Sequence, residues 1–169
     1  MLHLELELKL FTLEIHLLFQ WAIYMNIPKI LLAHHTAKPL NVGGFEITVL
    51  ASAEETGSYE LFRLVGTEGK GPGPHYHPWD ESFYVLRGAV QCGVHDRETL
   101  AYPGTFIHVP GGTTHWFTFG HGGGELFSIT SHGNATKMFT AFDKEVNWES
   151  PDRKKLIELA ARYGQIVLP

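Results

Sequence analysis

Two stretches decide the reading of this chain: Gly69-Lys70-Gly71-Pro72-Gly73-Pro74-His75-Tyr76-His77-Pro78-Trp79-Asp80-Glu81, closed by Gly88, and Gly104-Thr105-Phe106-Ile107-His108-Val109-Pro110-Gly111-Gly112-Thr113-Thr114-His115. Together they supply three imidazoles and a carboxylate. His75 and His77 are two apart, so on a strand they face the same side and converge on one point. Glu81 has the same parity four residues on. Pro78 lies between and has no N–H to give to a ladder, so the parity argument reaches Glu81 without compelling it. His115 arrives from a second strand after the Pro110-Gly111-Gly112 turn, and a closed antiparallel barrel sets two such strands side by side. The donor mix suits one divalent ion among Fe, Mn, Ni, Co, Cu and Zn. Neutral imidazole binds the later metals of that set, and one carboxylate offsets part of the ion's charge. Four ligands leave one or two positions of a five- or six-coordinate ion free for water, O2 or substrate. Cys92 is the only cysteine, so an all-thiolate structural site is excluded.

Outward from these stretches the chain reads as β-structure. Candidate strands are Phe45–Ala51, Ser58–Val65, Glu81–Arg87, Val90–His95, Thr105–Val109, His115–Phe119 and Glu125–Thr130. Each is apolar or alternating and is bounded by Gly, Pro or Asp. Short, evenly spaced strands predict a sandwich or barrel. The C-terminal end differs: Leu156, Leu159, Ala160 and Tyr163 fall at helical spacing. Ser150 suits an N-cap, Pro151 a first helical position and Gly164 a stop. One amphipathic helix packed outside the barrel is expected.

Residues 1–44 form an N-terminal arm or extension ahead of a barrel over 45–142 and a helical segment over 143–169. Met1 to Phe11 alternates Leu with His, Glu and Lys, a strand-like period of two. The stretch Ile15 to Pro28 carries no formal charge but is too short for a membrane helix, which needs ~20 residues. The acidic start does not resemble a signal peptide. Two readings stay open: an extra strand or arm exchanged between subunits, or a chain whose true start is Met25.

The chain has 169 residues and a formal charge of −5, which argues against nucleic acid or an anionic membrane as partner. A lone cysteine forms no intrachain disulfide, and a reduced, cytoplasmic setting is the simplest reading.

With those residues in place, the chain resembles a cupin. The first cupin motif is Gly, five residues, His-x-His, three or four residues, Glu, six residues, Gly; Gly69, His75, His77, Glu81 and Gly88 fill it. The second is Gly, five residues, Pro-x-Gly, two residues, His, three residues, Asn; Gly104, Pro110, Gly112 and His115 fill it, and Phe119 stands where the pattern has Asn. The likeness extends over about residues 45–142. It implies a double-stranded β-helix, or jelly-roll, barrel that is frequently a homodimer, with a metal held by His75, His77, Glu81 and His115. The run from His75 to Leu86 and the closing Tyr163-Gly164 resemble the small single-domain cupins grouped with quercetin-dioxygenase-like proteins.

Phe83 shares parity with Glu81, and Phe117 and Phe119 share it with His115. They predict ordinary barrel packing or an apolar pocket beside the ion. His108 is a pocket group or a satisfied strand histidine. His34, His35 and His95 read as surface residues. Trp79 and Tyr76 flank the first ligand pair as rim or dimer contact. The Gly-rich run at 69–73 lacks the ending of a phosphate loop.

Three functions compete for a small-molecule substrate. The first is a dioxygenase-type oxidoreductase acting on a small apolar or aromatic oxygenated molecule, with Glu81 as ligand and proton acceptor. The second is a metal-dependent isomerase or lyase of a small acid or sugar, for which nearby basic residues are scarce: Lys70 and Arg87 alone are close. The third is a non-catalytic small-molecule-binding module.

Overall fold

The computed structural model describes residues 38–131 and 133–169. The readings of residues 1–37, the His34-His35 pair among them, lie outside these. The described elements are β1 (Leu40–Val42), β2 (Phe45–Ala51), α1 (Ala53–Thr56), β3 (Tyr59–Gly66), β4 (His75–Tyr76), β5 (Glu81–Val94), β6 (Arg97–Ala101), β7 (Phe106–Val109), β8 (His115–Ser131), α2 (Ala135–Glu145), α3 (Arg153–Arg162) and β9 (Ile166–Val167). The pairing is antiparallel throughout. One path runs β1-β2-β3-β8-β4-β9, and β5 joins β6, β7 and β8. The strand pattern predicted a sandwich or barrel, and this is the jelly-roll barrel that the cupin resemblance implied.

Sequence period two becomes an inside and an outside. On β3, Glu60, Phe62 and Leu64 are buried between the less buried Tyr59, Leu61, Arg63 and Val65. On β8, His115, Phe117 and Phe119 face in, and Trp116 and Thr118 do not. Slipping β8 by one residue would expose two phenylalanines, each worth about 1.5–3 kcal/mol of burial, so the register is firmly set. That register carries the ligand His115 to its place.

Four expected strands are two long ones. Glu81–Arg87 and Val90–His95 merge into β5, and His115–Phe119 and Glu125–Thr130 into β8, because the pair bends instead of stopping. Register shifts fall between Val85 and Arg87 and between Gly88 and Val90, with Gly88 opposite Gly124. Glycines that read as turn formers are here the bend between the two layers. The polar strand β6 lies on the barrel edge, with four of its five residues exposed. It lacks the apolar signal that marks the others. His95 forms the β5–β6 turn with φ +57°.

The expected terminal helix is α3, with Leu159 and Ala160 buried and Leu156 and Tyr163 packed against the core. Its cap is Asp152, not Ser150, because the Asp152 side chain accepts from the N–H groups of Lys154 and Lys155 at 2.9 and 3.3 Å. Pro151 accordingly precedes the helix. A second helix, α2, was not foreseen, so the barrel is followed by two helices where one is expected.

The N-cap residue of α2, Asn134, makes no side-chain cap bond. Glu60 on β3 takes over that role. Its buried carboxyl accepts from Ala135 N at 3.1 Å, Thr136 N at 2.9 Å and Thr130 Oγ1 at 3.3 Å. Glu60→Ala should therefore cost about 2–4 kcal/mol, by orphaning one buried and one part-buried N–H group and leaving a gap. Denaturant unfolding checks this; a loss below about 0.5 kcal/mol would contradict it.

Candidate metal centre

The four motif residues come from three strand elements and one loop position. His75 lies on β4, His77 just beyond it, Glu81 at the start of β5 and His115 at the start of β8. β4 and β8 are adjacent, with His75 opposite His115. All four side chains are buried, and their ligand atoms lie within 4.8 Å of one another. The parity expected across Pro78 holds in effect, since Glu81 joins the histidine pair despite the break between β4 and β5.

Each imidazole is oriented by the backbone. Nδ1 of His75 donates to Gly73 O at 2.8 Å, that of His77 to Trp79 O at 2.9 Å, and that of His115 to Thr113 O at 2.9 Å. Spending the Nδ1 proton on a carbonyl leaves an Nε2 lone pair pointing inward, the form a metal needs. His77 Nε2 and His115 Nε2 lie 3.0 and 3.2 Å from Glu81 Oε2. Ser128, on β8, donates to the other oxygen, Oε1, at 2.6 Å. Two lone pairs against a carboxylate oxygen repel unless a cation sits among them. A divalent ion removes the conflict without protonating both rings, so this donor set fits one metal ion with N and O ligands.

Without a metal, the electrostatics differ from ring to ring. Burial first, and then the neighbouring His115, push the His75 imidazole down to about 4, so it is neutral at ordinary pH. Burial works against ionising Glu81, but the hydrogen bonds and charges of His115 and His77 outweigh it and hold the carboxyl below its usual range. Burial likewise opposes a charged His115, and the Glu81 hydrogen bond outweighs it, raising its pKa.

These directions predict the behaviour of the metal-free protein. Unfolded His75 takes up its proton near 6.5, whereas the folded residue does so only near 4. The unfolded state therefore binds more protons between those values, and stability falls as pH falls. The loss from pH 6.5 to 4.5 should be about 2 kcal/mol. Glu81, with its depressed pKa, adds a further loss below 4.5. His115 acts in another window: its contribution is complete below 6.5 and fades as pH rises through its raised value. Thermal unfolding of chelator-treated protein checks this, and greater stability at pH 4.5 than at 6.5 would contradict it.

A cavity of about 340 Å³ adjoins the cluster. His75, His77 and Glu81 border it. Phe83, Phe117, Phe142 and Trp148 are among the residues that make its remaining wall mostly apolar. Phe83 and Phe117 pack together at 5.5 Å between ring centroids. Phe119 does not border the cavity. It is 1% exposed and packs edge-on against Phe117 and Phe45. His108 is outside the pocket altogether, because β7 turns Val109 inward and His108 outward. It sits on the exposed face with Nδ1 3.0 Å from Ser82 Oγ. Trp79 is neither rim nor free surface: it is buried and stacked on His77 at 4.3 Å with an 8° interplanar angle. The β5 bulge turns Arg87 outward, 60% exposed and beside Glu125. Sequence reasoning missed Ser128, for which a serine on an alternating strand gives no signal until the pairing with β5 is known.

Comparison with known proteins agrees with this geometry. Residues 62–129 match the family described as "Cupin domain". No curated protein sequence matches the chain. Among solved structures, an RmlC-like cupin from Shewanella frigidimarina is similar with a TM-score of 0.59 at 17% identity, over 67% of this chain and 98% of that one. KdgF from Halomonas sp. is similar with a TM-score of 0.57 at 18% identity, over 62% of this chain and 94% of that one. The polyketide cyclase RemF from Streptomyces resistomycificus is similar with a TM-score of 0.53 at 19% identity, over 63% and 80% respectively. At these identities the likeness speaks for the fold alone. Motif spacing, sheet topology and the match over residues 62–129 together identify a cupin domain in this chain.

Proposed function

We propose that the protein is a metal-dependent, dioxygenase-type oxidoreductase acting on a small apolar or aromatic molecule that carries oxygen groups. The observation that carries this is the apolar cavity against a three-histidine, one-glutamate cluster. A redox-active ion bound there would supply the electron transfer between substrate and O2. Glu81 serves as ligand and as proton acceptor, with Ser128 holding Oε1. Phe83 and Phe117 exclude water and bind the apolar body. Lewis-acid chemistry on a small acid or sugar is less well supported, since Arg153 is the one Lys or Arg bordering the cavity and Arg87 points away. We further propose a homodimer in a reducing, cytoplasmic setting, in keeping with the single, buried Cys92. Among the described residues no helix is long and apolar enough to cross a membrane.

The test is O2 uptake by protein reconstituted separately with Fe, Mn, Ni, Co and Cu, against a panel of flavonols, catechols and diketones. Metal-dependent uptake with at least one member supports the proposal. No uptake with any fully loaded form overturns it in favour of a binding role or redox-neutral chemistry.

A further inference from the structure

One buried polar side chain beside the metal cluster is unused. Gln165 follows the stop of α3 and leads into β9. Its backbone N–H donates to Ala160 O, which fixes where β9 begins. β9 then pairs with β4, with Val167 opposite His75 and Ile166 opposite Tyr76. Continuing that register by one residue sets Gln165 beside His77. Cross-strand neighbours share a face, and the burial confirms it: Gln165 is 9% exposed, whereas Ile166 is 39% exposed. The Gln165 side chain therefore lies on the face that carries His75 and His77, and it borders the cavity.

The amide makes no side-chain hydrogen bond to any described residue. This sets it apart from the other buried polar groups of the region. Ser128 and the three imidazoles are all partnered, and so is Glu60. The residue is mostly buried, but its amide atoms are not sealed from solvent, so the amide is free to exchange water for a ligand at the cavity. A second donor, Trp148 Nε1, belongs to a residue that borders the cavity and is buried without a partner. With Arg153 also at the border, these donors in a mostly apolar wall match a ligand with an apolar body and acceptor oxygens.

We infer that Gln165 is a substrate-positioning residue whose amide donates to an anionic or strongly polarised oxygen of the ligand held beside His77. The ligand class is an aromatic or apolar molecule bearing a catecholate-, enolate- or carboxylate-type oxygen. The inference rests on the proposed metal site, and it adds a residue outside both cupin motifs.

The test uses full-length protein loaded with Co²⁺ and kept free of O2, with 4-nitrocatechol as the probe. Wild type, Gln165→Met and Gln165→Glu are compared for Co²⁺ stoichiometry, probe affinity by absorbance titration, and melting temperature. All three should bind one Co²⁺. Gln165→Met should bind the probe about tenfold more weakly, the loss of one hydrogen bond to a charged group. Its melting temperature should stay close to that of wild type, because no hydrogen bond within the protein is lost and a chain of similar size is kept. Gln165→Glu should weaken the probe at least as much, because it offers only acceptors. Probe affinity within twofold of wild type in Gln165→Met overturns the inference, and a lowered melting temperature with affinity retained assigns Gln165 a purely structural role. Co²⁺ uptake without probe binding by wild type overturns the inference and leaves the metal site standing. Failure of wild type to take up Co²⁺ overturns both.

Discussion

His77→Ala should retain less than about a tenth of the metal found in the wild-type protein purified alongside it. Three features make His77 the most damaging ligand to lose. It supplies one of only four donor atoms. Its Nε2 lies 3.0 Å from Glu81 Oε2, so its removal frees the carboxylate to move. It also supports the stacked indole of Trp79, and the alanine leaves a hole beneath that ring. Loss of a group that merely orients a ligand typically costs 10–100-fold in metal affinity, so loss of the ligand should cost at least about a hundredfold. Elemental mass spectrometry measures this directly. His108→Ala is the matched control: it removes an imidazole from the outer face and should keep full occupancy. Full occupancy in His77→Ala, with none lost relative to His108→Ala, would show that the four residues do not form the site.

Gly88→Ala should destabilise the fold by at least about 3 kcal/mol. Gly88 has φ +76°, a conformation in which an L side chain costs roughly 1–2 kcal/mol. A Cβ there would lie 2.1 Å from Gly123 O and 2.8 Å from Gly124 Cα. Those are backbone atoms of the partner strand, which cannot swing aside as a flexible side chain would. The β5–β8 pair must therefore open where it bends. Gly104, the opening glycine of the second motif, is the comparison. It has φ +91° but nothing within 4 Å, so Gly104→Ala should show the strain alone, about 1–2 kcal/mol. Urea unfolding of the two variants separates the terms. Equal losses would mean that the close approach at Gly88 contributes nothing.

Much of the site was legible before any coordinates. His75 and His77 are bound to one face by the two-residue repeat of a strand. Glu81 and His115 follow from spacing that has to agree at several positions at once. The barrel was legible for the same reason, because each apolar alternation is a local property of its own strand. What parity left open had a different cause. His108, a pocket group or a strand histidine, lies on the outer face because β7 turns Val109 to the core; Phe119 faces in as expected and packs in the core without bordering the cavity. A Cβ on Gly66 would come within 2.2 Å of the Phe119 ring, so that ring packs directly on the Gly66 backbone. The Asp152 cap and the α2 helix held by Glu60 were also missed. The first turns on which of two neighbouring cap formers, Ser150 or Asp152, reaches the N–H groups, and the second on a carboxyl 75 residues away in sequence.

By itself the sequence determined the ligand types, their local spacing, the strand period and hence a small β-barrel, since these depend on neighbours within a few residues. Only the tertiary structure decided that Ser128 holds Glu81, that Trp79 supports His77 and that Gln165 stands unpaired beside the cluster. Each of those depends on the register between strands far apart in the chain, and that register is set by the packing of the whole core.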